Sequence, residues 1–124
     1  MAEALFDADA ILSRVGGDTE LIVEISEMFL SDYPRILRES RDAILAGDIA
    51  GLERLAHRLR GAIGNFGAQA PYDAARHLET LSKNNDAAAL PAAMEVLEQT
   101  VNAFASGLRN FVAGLQVGAA ETAS

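Results

Sequence analysis

The chain has 124 residues, of which 50% are hydrophobic and 23% charged, with a net charge of −8 and no cysteine. That is the size and composition of one soluble globular domain. The charge argues against nucleic acid as a partner, because binding it takes Lys and Arg to neutralise phosphates. The missing cysteines exclude disulfides and thiolate chemistry, and no apolar run approaches the ~20 residues needed to span a bilayer.

The opening segment, Met1 to Phe6, has no basic region followed by an apolar stretch, so it does not read as a signal peptide. A cytoplasmic location is expected, without direct membrane contact. A short first helix follows, capped by Asp7 or Asp9, with Ile11, Leu12 and Val15 on one side and Gly16-Gly17 as its stop. Asp18 caps a long second helix. Its apolar residues, Leu21, Ile22, Ile25, Met28, Phe29, Ile36, Leu37, Ile44 and Leu45, recur mostly at helical spacings. Pro34 inside it removes one backbone donor and predicts a kink. Ala46-Gly47-Asp48 is a stop and restart, with Gly ending one helix and Asp capping the next. The third helix carries Leu52, Leu55, Leu59, Ile63 and Phe66 on one face. Gly67 and Pro71 separate it from a fourth, with Ala74, Ala75, Leu78 and Leu81, which ends at Asn84-Asn85-Asp86. The last helix repeats Leu90, Met94, Leu97, Val101, Phe104, Leu108, Phe111 and Leu115. These alternating steps of four and three are the 3.5-residue period of nearly parallel or antiparallel helices. No segment alternates with period two. The expected fold is all-α, an up-and-down four-helix bundle with a short extra N-terminal helix as a lid, over residues 5–116. Residues 117–124 show no pattern and read as a disordered tail.

One face of the third helix is anomalous. At about 100° per residue, Leu52, Leu55, Ile63 and Phe66 lie within roughly 40° of Leu59. On the same wheel, Arg60 falls at about 100°, Gly64 at about 140°, His57 at about 160° and Gly61 at about 200°. His57, Arg60, Gly61 and Gly64 thus form one exposed ridge. Each glycine destabilises a helix interior by about 1 kcal/mol relative to Ala, and packing within the domain does not explain two of them. They clear space beside an imidazole that is neutral and nucleophilic near pH 7, with a cation one turn away. Physical reasoning alone leaves this open between a phosphoryl carrier and an ordinary surface histidine.

The run from His57 to Ala68, HRLRGAIGNFGA, resembles the signature of histidine-phosphotransfer (HPt) domains: His-x-Leu-Lys-Gly, five mostly small or apolar positions, then Gly-Ala. Gly16-Gly17-Asp18, Phe29-Leu30 before Pro34, and Ala46-Gly47-Asp48 extend the likeness over roughly residues 5 to 115. The resemblance implies a phosphorelay, in which a receiver domain phosphorylated on Asp donates to the HPt histidine, which then phosphorylates another receiver. It implies that His57 is the phosphorylated position, Arg60 the phosphate-stabilising cation, and Gly61 and Gly64 the access for a partner. No cofactor is implied for the chain itself, Mg²⁺ being expected on the receiver. Arg60 stands where Lys is commoner, so its fork can contact phosphate through two donors. No ATP-binding glycine motif or kinase region is present, so the chain is expected to be a phosphocarrier and not an enzyme. It would be either free-standing or the C-terminal domain of a hybrid sensor kinase, and a monomer.

Other charged residues fit around this core. Arg54, Arg58 and Arg76 are a candidate docking rim for an acidic receiver, although with Arg60 they could instead pair with Glu53, Asp73 and Glu79. His77 reads as a polar boundary residue. It forms no metal site with His57, since zinc takes three or four ligands in local clusters. Glu3, Asp7 and Asp9 read as capping and solvation. Two alternatives remain: an HPt-like docking module without phosphotransfer, and an enzyme with His57 as general base. The second needs a concave pocket and an orienting carboxylate, and a convex helix ridge is expected to offer neither.

Overall fold

The computed structural model describes residues 6–123. Glu3, the expected domain start at residue 5, and Ser124 lie outside them. The elements are α1 (Ala8–Arg14), α2 (Thr19–Ala46), α3 (Ile49–Gly64), α4 (Gln69–Lys83), a 3-10 turn at Ala87–Ala89, and α5 (Leu90–Ala123). No strand occurs among the described residues.

The helix boundaries follow from local chemistry. The Asp18 side chain accepts a hydrogen bond from the Leu21 amide at 3.2 Å and opens α2. Gly47 closes it with φ 72°, a left-handed conformation that glycine adopts without steric penalty. In that turn the Asp48 amide donates back to the Ala43 carbonyl at 2.9 Å. Asp48 then caps α3 by accepting from the Gly51 amide at 2.9 Å. The helix assignment of α2 runs unbroken through Pro34.

α2 packs against α3 and α5, and α4 against the same two, as an up-and-down bundle requires. Phe29, Phe66 and Phe104 meet at its centre, with ring centroids 5.2 to 5.6 Å apart. α1 covers one end, where Ile11 is buried and the Asp7 amide donates to the Phe66 carbonyl. Just before α1, Phe6 sets its ring edge-on to Phe104 and Phe111. All eight residues of the predicted α5 stripe are buried or partly buried in the core.

Two features differ from the sequence expectation. α5 continues to Ala123, through residues that carry no apolar pattern; this stretch is rich in Ala, the best helix former, so it needs no packed face to be helical. Leu21, Met28 and Leu45 of α2 are exposed, because a helical apolar pattern can be wider than the face a bundle covers. The most extensive helix pairing is α3 against α4. Ala56 on α3 and Ala74 and Ala75 on α4 are buried, and small side chains at a crossing let helix axes approach closely. That pairing builds the site.

Candidate functional site

His57 lies in the middle of α3 with its side chain 66% exposed, as the wheel predicts. It is nevertheless not a free surface histidine. Its Nδ1 sits 2.8 Å from Oε2 of Glu79 on α4, a carboxylate only 5% exposed. The other oxygen, Oε1, accepts from Arg60 Nε at 2.7 Å. Lys83 Nζ, one turn along α4, is 3.7 Å from Oε2. One buried carboxylate therefore faces three basic side chains.

The state of Nδ1 follows from Glu79. Burial by itself would raise the carboxyl pKa, but the hydrogen bonds from His57 and Arg60, with the charges of both groups, together outweigh it. The pKa lies below its ordinary value of 4.5. Glu79 is thus ionised at neutral pH and only accepts. Arg60 Nη2 also lies 3.1 Å from Nδ1, but Nδ1 cannot donate to Glu79 and accept from Arg60 at once. With an ionised Glu79, Nδ1–H donates to the carboxylate. This tautomer is assigned from the hydrogen-bond partners. The lone pair of a neutral ring is then on Nε2.

Arg60 is held more firmly than its place on the ridge suggests, with its side chain 27% exposed. Its Nη1 donates to the Tyr72 hydroxyl at 3.1 Å, and its guanidinium carbon lies 5.8 Å from the Tyr72 ring centroid. The bond to Tyr72, then that to Glu79, raises its pKa further above the ordinary value.

The two ridge glycines differ. Gly61 is exposed, and an added Cβ would meet nothing within 4 Å. Gly64 is half-buried, and a Cβ there would lie 3.5 Å from Cε2 of Tyr72. Gly64 is therefore not simply open to a partner: it also borders the Tyr72 ring on α4, a neighbour that no single-helix wheel contains. Arg54, Arg58, Arg76 and His77 are exposed. Among the described residues, no side-chain hydrogen bond or ion pair joins the three arginines to the rest of the domain, and the alternative pairings with Glu53 and Asp73 do not form. Of the anticipated pairs, only Arg60 with Glu79 does. Arg58 also borders a shallow apolar groove between α2 and α3, lined by Ile25, Met28, Phe29 and Ala62.

The expectation that the ridge lacks an orienting carboxylate is corrected: α4 supplies Glu79. A signal for it does exist in the sequence. Tyr72, Glu79 and Lys83 are spaced by seven and four, one stripe of α4, and Glu79 shares its stripe with Ala75 and Ser82, both buried. An acidic residue in register with small buried ones marks a polar group facing a neighbouring helix.

Fold and site together define an all-helical bundle that displays an accessible imidazole on α3, held from behind by a buried carboxylate of α4. A family model described as Hpt domain matches residues 24–107, and the chain belongs to that family, the histidine-phosphotransfer modules of two-component phosphorelays. Among solved structures it is similar to histidine-containing phosphotransfer protein B (HptB) from Pseudomonas aeruginosa PAO1. The TM-score is 0.82 at 21% identity, covering 90% of this chain and 96% of that one; at that identity the likeness is one of fold. The comparison with curated proteins found no match.

Proposed function

We propose that His57 carries the phosphoryl group, taking it on Nε2 from the aspartyl phosphate of one receiver domain and passing it to the aspartate of another. The observation that carries this is the tie between His57 Nδ1 and the buried Glu79, which leaves Nε2 as the outward nucleophile. The Nε2 lone pair attacks phosphorus, the bond from phosphorus to the aspartyl oxygen breaks, and the carboxylate leaves with that electron pair. The ring then bears a proton on Nδ1 and phosphorus on Nε2, and its positive charge is met by Glu79. Transfer onward is the reverse step. Arg60 supplies a fixed cation beside the ring for the phosphoryl charge. The Mg²⁺ and most of the catalysis belong to the receiver, so the chain acts as a phosphocarrier and needs no cofactor of its own. Exposed Arg54, Arg58 and Arg76, with Met28 beside the groove, suit docking of an acidic receiver surface. We place the domain in the cytoplasm as a monomer, free-standing or attached to a hybrid sensor kinase.

Incubation with a receiver bearing labelled aspartyl phosphate tests the proposal. The expected product is label on this chain that is labile in acid and stable in alkali. A complex that forms without transfer of label would establish the docking-only alternative.

The role of Gly61 has its own test. Gly61→Gln places a side chain in open space, so helix stability is expected to rise by up to ~1 kcal/mol, or about 3–5 °C in Tm. Transfer from the receiver is expected to fall, because the same side chain occupies the approach to the ring. A variant both less stable and fully active would show that Gly61 serves internal packing.

A further inference from the structure

Arg60 has an alternative partner geometry within its reach. A guanidinium prefers to grip a carboxylate through two parallel donors. Elsewhere in this protein Arg41 does so, giving Nε to Oε1 of Glu98 and Nη2 to Oε2. The same grip by Arg60 on Glu79 would place Nη2 on Oε2, the oxygen that accepts from His57 Nδ1. It does not form. Arg60 gives Nε to Oε1 alone, and Nη2 stands beside the imidazole instead.

The group on the far side of the guanidinium is Tyr72. A single bond at Nε leaves the guanidinium plane free to pivot about that contact. The bond from Nη1 to the Tyr72 hydroxyl, with the ring against the guanidinium, supplies the second point that stops the pivot. Gly64 borders the ring, and a Cβ there would lie in ordinary contact with Cε2 at 3.5 Å.

We propose that Tyr72 is a positioning residue: by holding Nη1 of Arg60 it keeps Arg60 from closing its two-donor grip on Glu79, and so keeps Nη2 from competing with His57 for Oε2. This deepens the carrier reading above and rests on it for its bearing on phosphotransfer. The hydrogen bond of the Tyr72 hydroxyl goes to Arg60, and among the described residues none joins it to His57. Tyr72 acts through Arg60, and through Arg60 on which ring nitrogen keeps the proton.

Tyr72→Phe removes the hydroxyl and keeps the ring, and thermal denaturation confirms the fold. Nitrogen-15 NMR at neutral pH then reads the geometry directly. In the native protein the Nη resonances of Arg60 are expected to be separate, as in a guanidinium whose rotation is blocked, and the His57 ring to be one tautomer with Nδ1 protonated. In Tyr72→Phe the pattern at Arg60 is expected to change, and His57 to become a mixture of tautomers. Transfer from a phosphorylated receiver is expected to slow by about three- to tenfold, less than the full loss of a hydrogen bond to a charged group, because Tyr72 acts on the ring only through Arg60. In an Arg60→Ala background, Tyr72→Phe is expected to change neither the tautomer nor the rate further. Unaltered Arg60 and His57 spectra in Tyr72→Phe would overturn the proposal, as would an equal loss of rate with and without Arg60. The NMR measurements need no phosphotransfer. A native chain that accepts no phosphoryl group would therefore refute the carrier reading, while Tyr72 is judged on the spectra.

Discussion

His57→Gln is expected to abolish phosphoryl acceptance and to leave the fold in place. Glutamine has an amide nitrogen whose lone pair is delocalised into the carbonyl, so nothing at that position can attack phosphorus. The side chain it replaces is 66% exposed, and exposed substitutions usually change stability by less than ~0.5 kcal/mol. The lost bond to Glu79 does not strand the carboxylate, which keeps Arg60 at 2.7 Å and Lys83 at 3.7 Å. Circular dichroism and thermal denaturation check the fold, and the acid-labile label checks acceptance. Label retained by the variant would move the carrier role to another residue, with His77, exposed on α4, the first to examine.

Removing the carboxylate is expected to have the second largest effect, on both function and stability. In Glu79→Ala the imidazole loses the acceptor that holds its Nδ1 proton and faces its charge once Nε2 is phosphorylated. Loss of a hydrogen bond to a charged group corresponds to about 1.5–3 kcal/mol, or roughly 10- to 100-fold in transfer rate. Arg60 and Lys83 are left facing each other without their shared counterion. A destabilisation of about 1–3 kcal/mol is expected, less than for a fully buried ion pair, because Arg60 retains some contact with water. Glu79→Gln should be milder. Its single oxygen can accept from Arg60 or from His57 but not replace both carboxylate oxygens; with the oxygen on Arg60, its NH2 faces Nδ1, and the tautomer set by Glu79 is lost.

The carboxylate also sets a pH dependence. The folded-state pKa of Glu79 lies below the ordinary value of 4.5, so its stabilisation is complete above that value and is lost as pH falls through the lower folded value. The stability difference between the native protein and Glu79→Gln is therefore expected to be constant above about pH 4.5 and to shrink below it. Denaturation from pH 7 to pH 3 measures this. A difference that persists unchanged in acid would show that packing, and not the ionised carboxylate, is the source.

Some of this was legible in the chain itself, and the reason is that it depends on neighbours in sequence. Helix period, the caps at Asp18 and Asp48, and the Gly47 turn are all local. The 3.5-residue stripe of α5 already implies near-parallel partners, and the wheel of α3 places His57 and Gly61 on the outside. The same patterning misjudged Leu21, Met28 and Leu45, since apolar character alone does not say which part of a helix another helix will cover. The hidden partners of the site are of a different kind. Glu79 is 22 residues from His57 and 19 from Arg60 in the chain. It reaches them because α3 and α4 pack against each other. From the sequence, Arg60 is a cation on a ridge and Glu79 one of several carboxylates that could pair with it. The crossing of α3 and α4 decides that one carboxylate serves His57 and Arg60 together, and that Tyr72 holds the other end of Arg60, because the relative register of two helices is set by packing across their interface and not by the period of either.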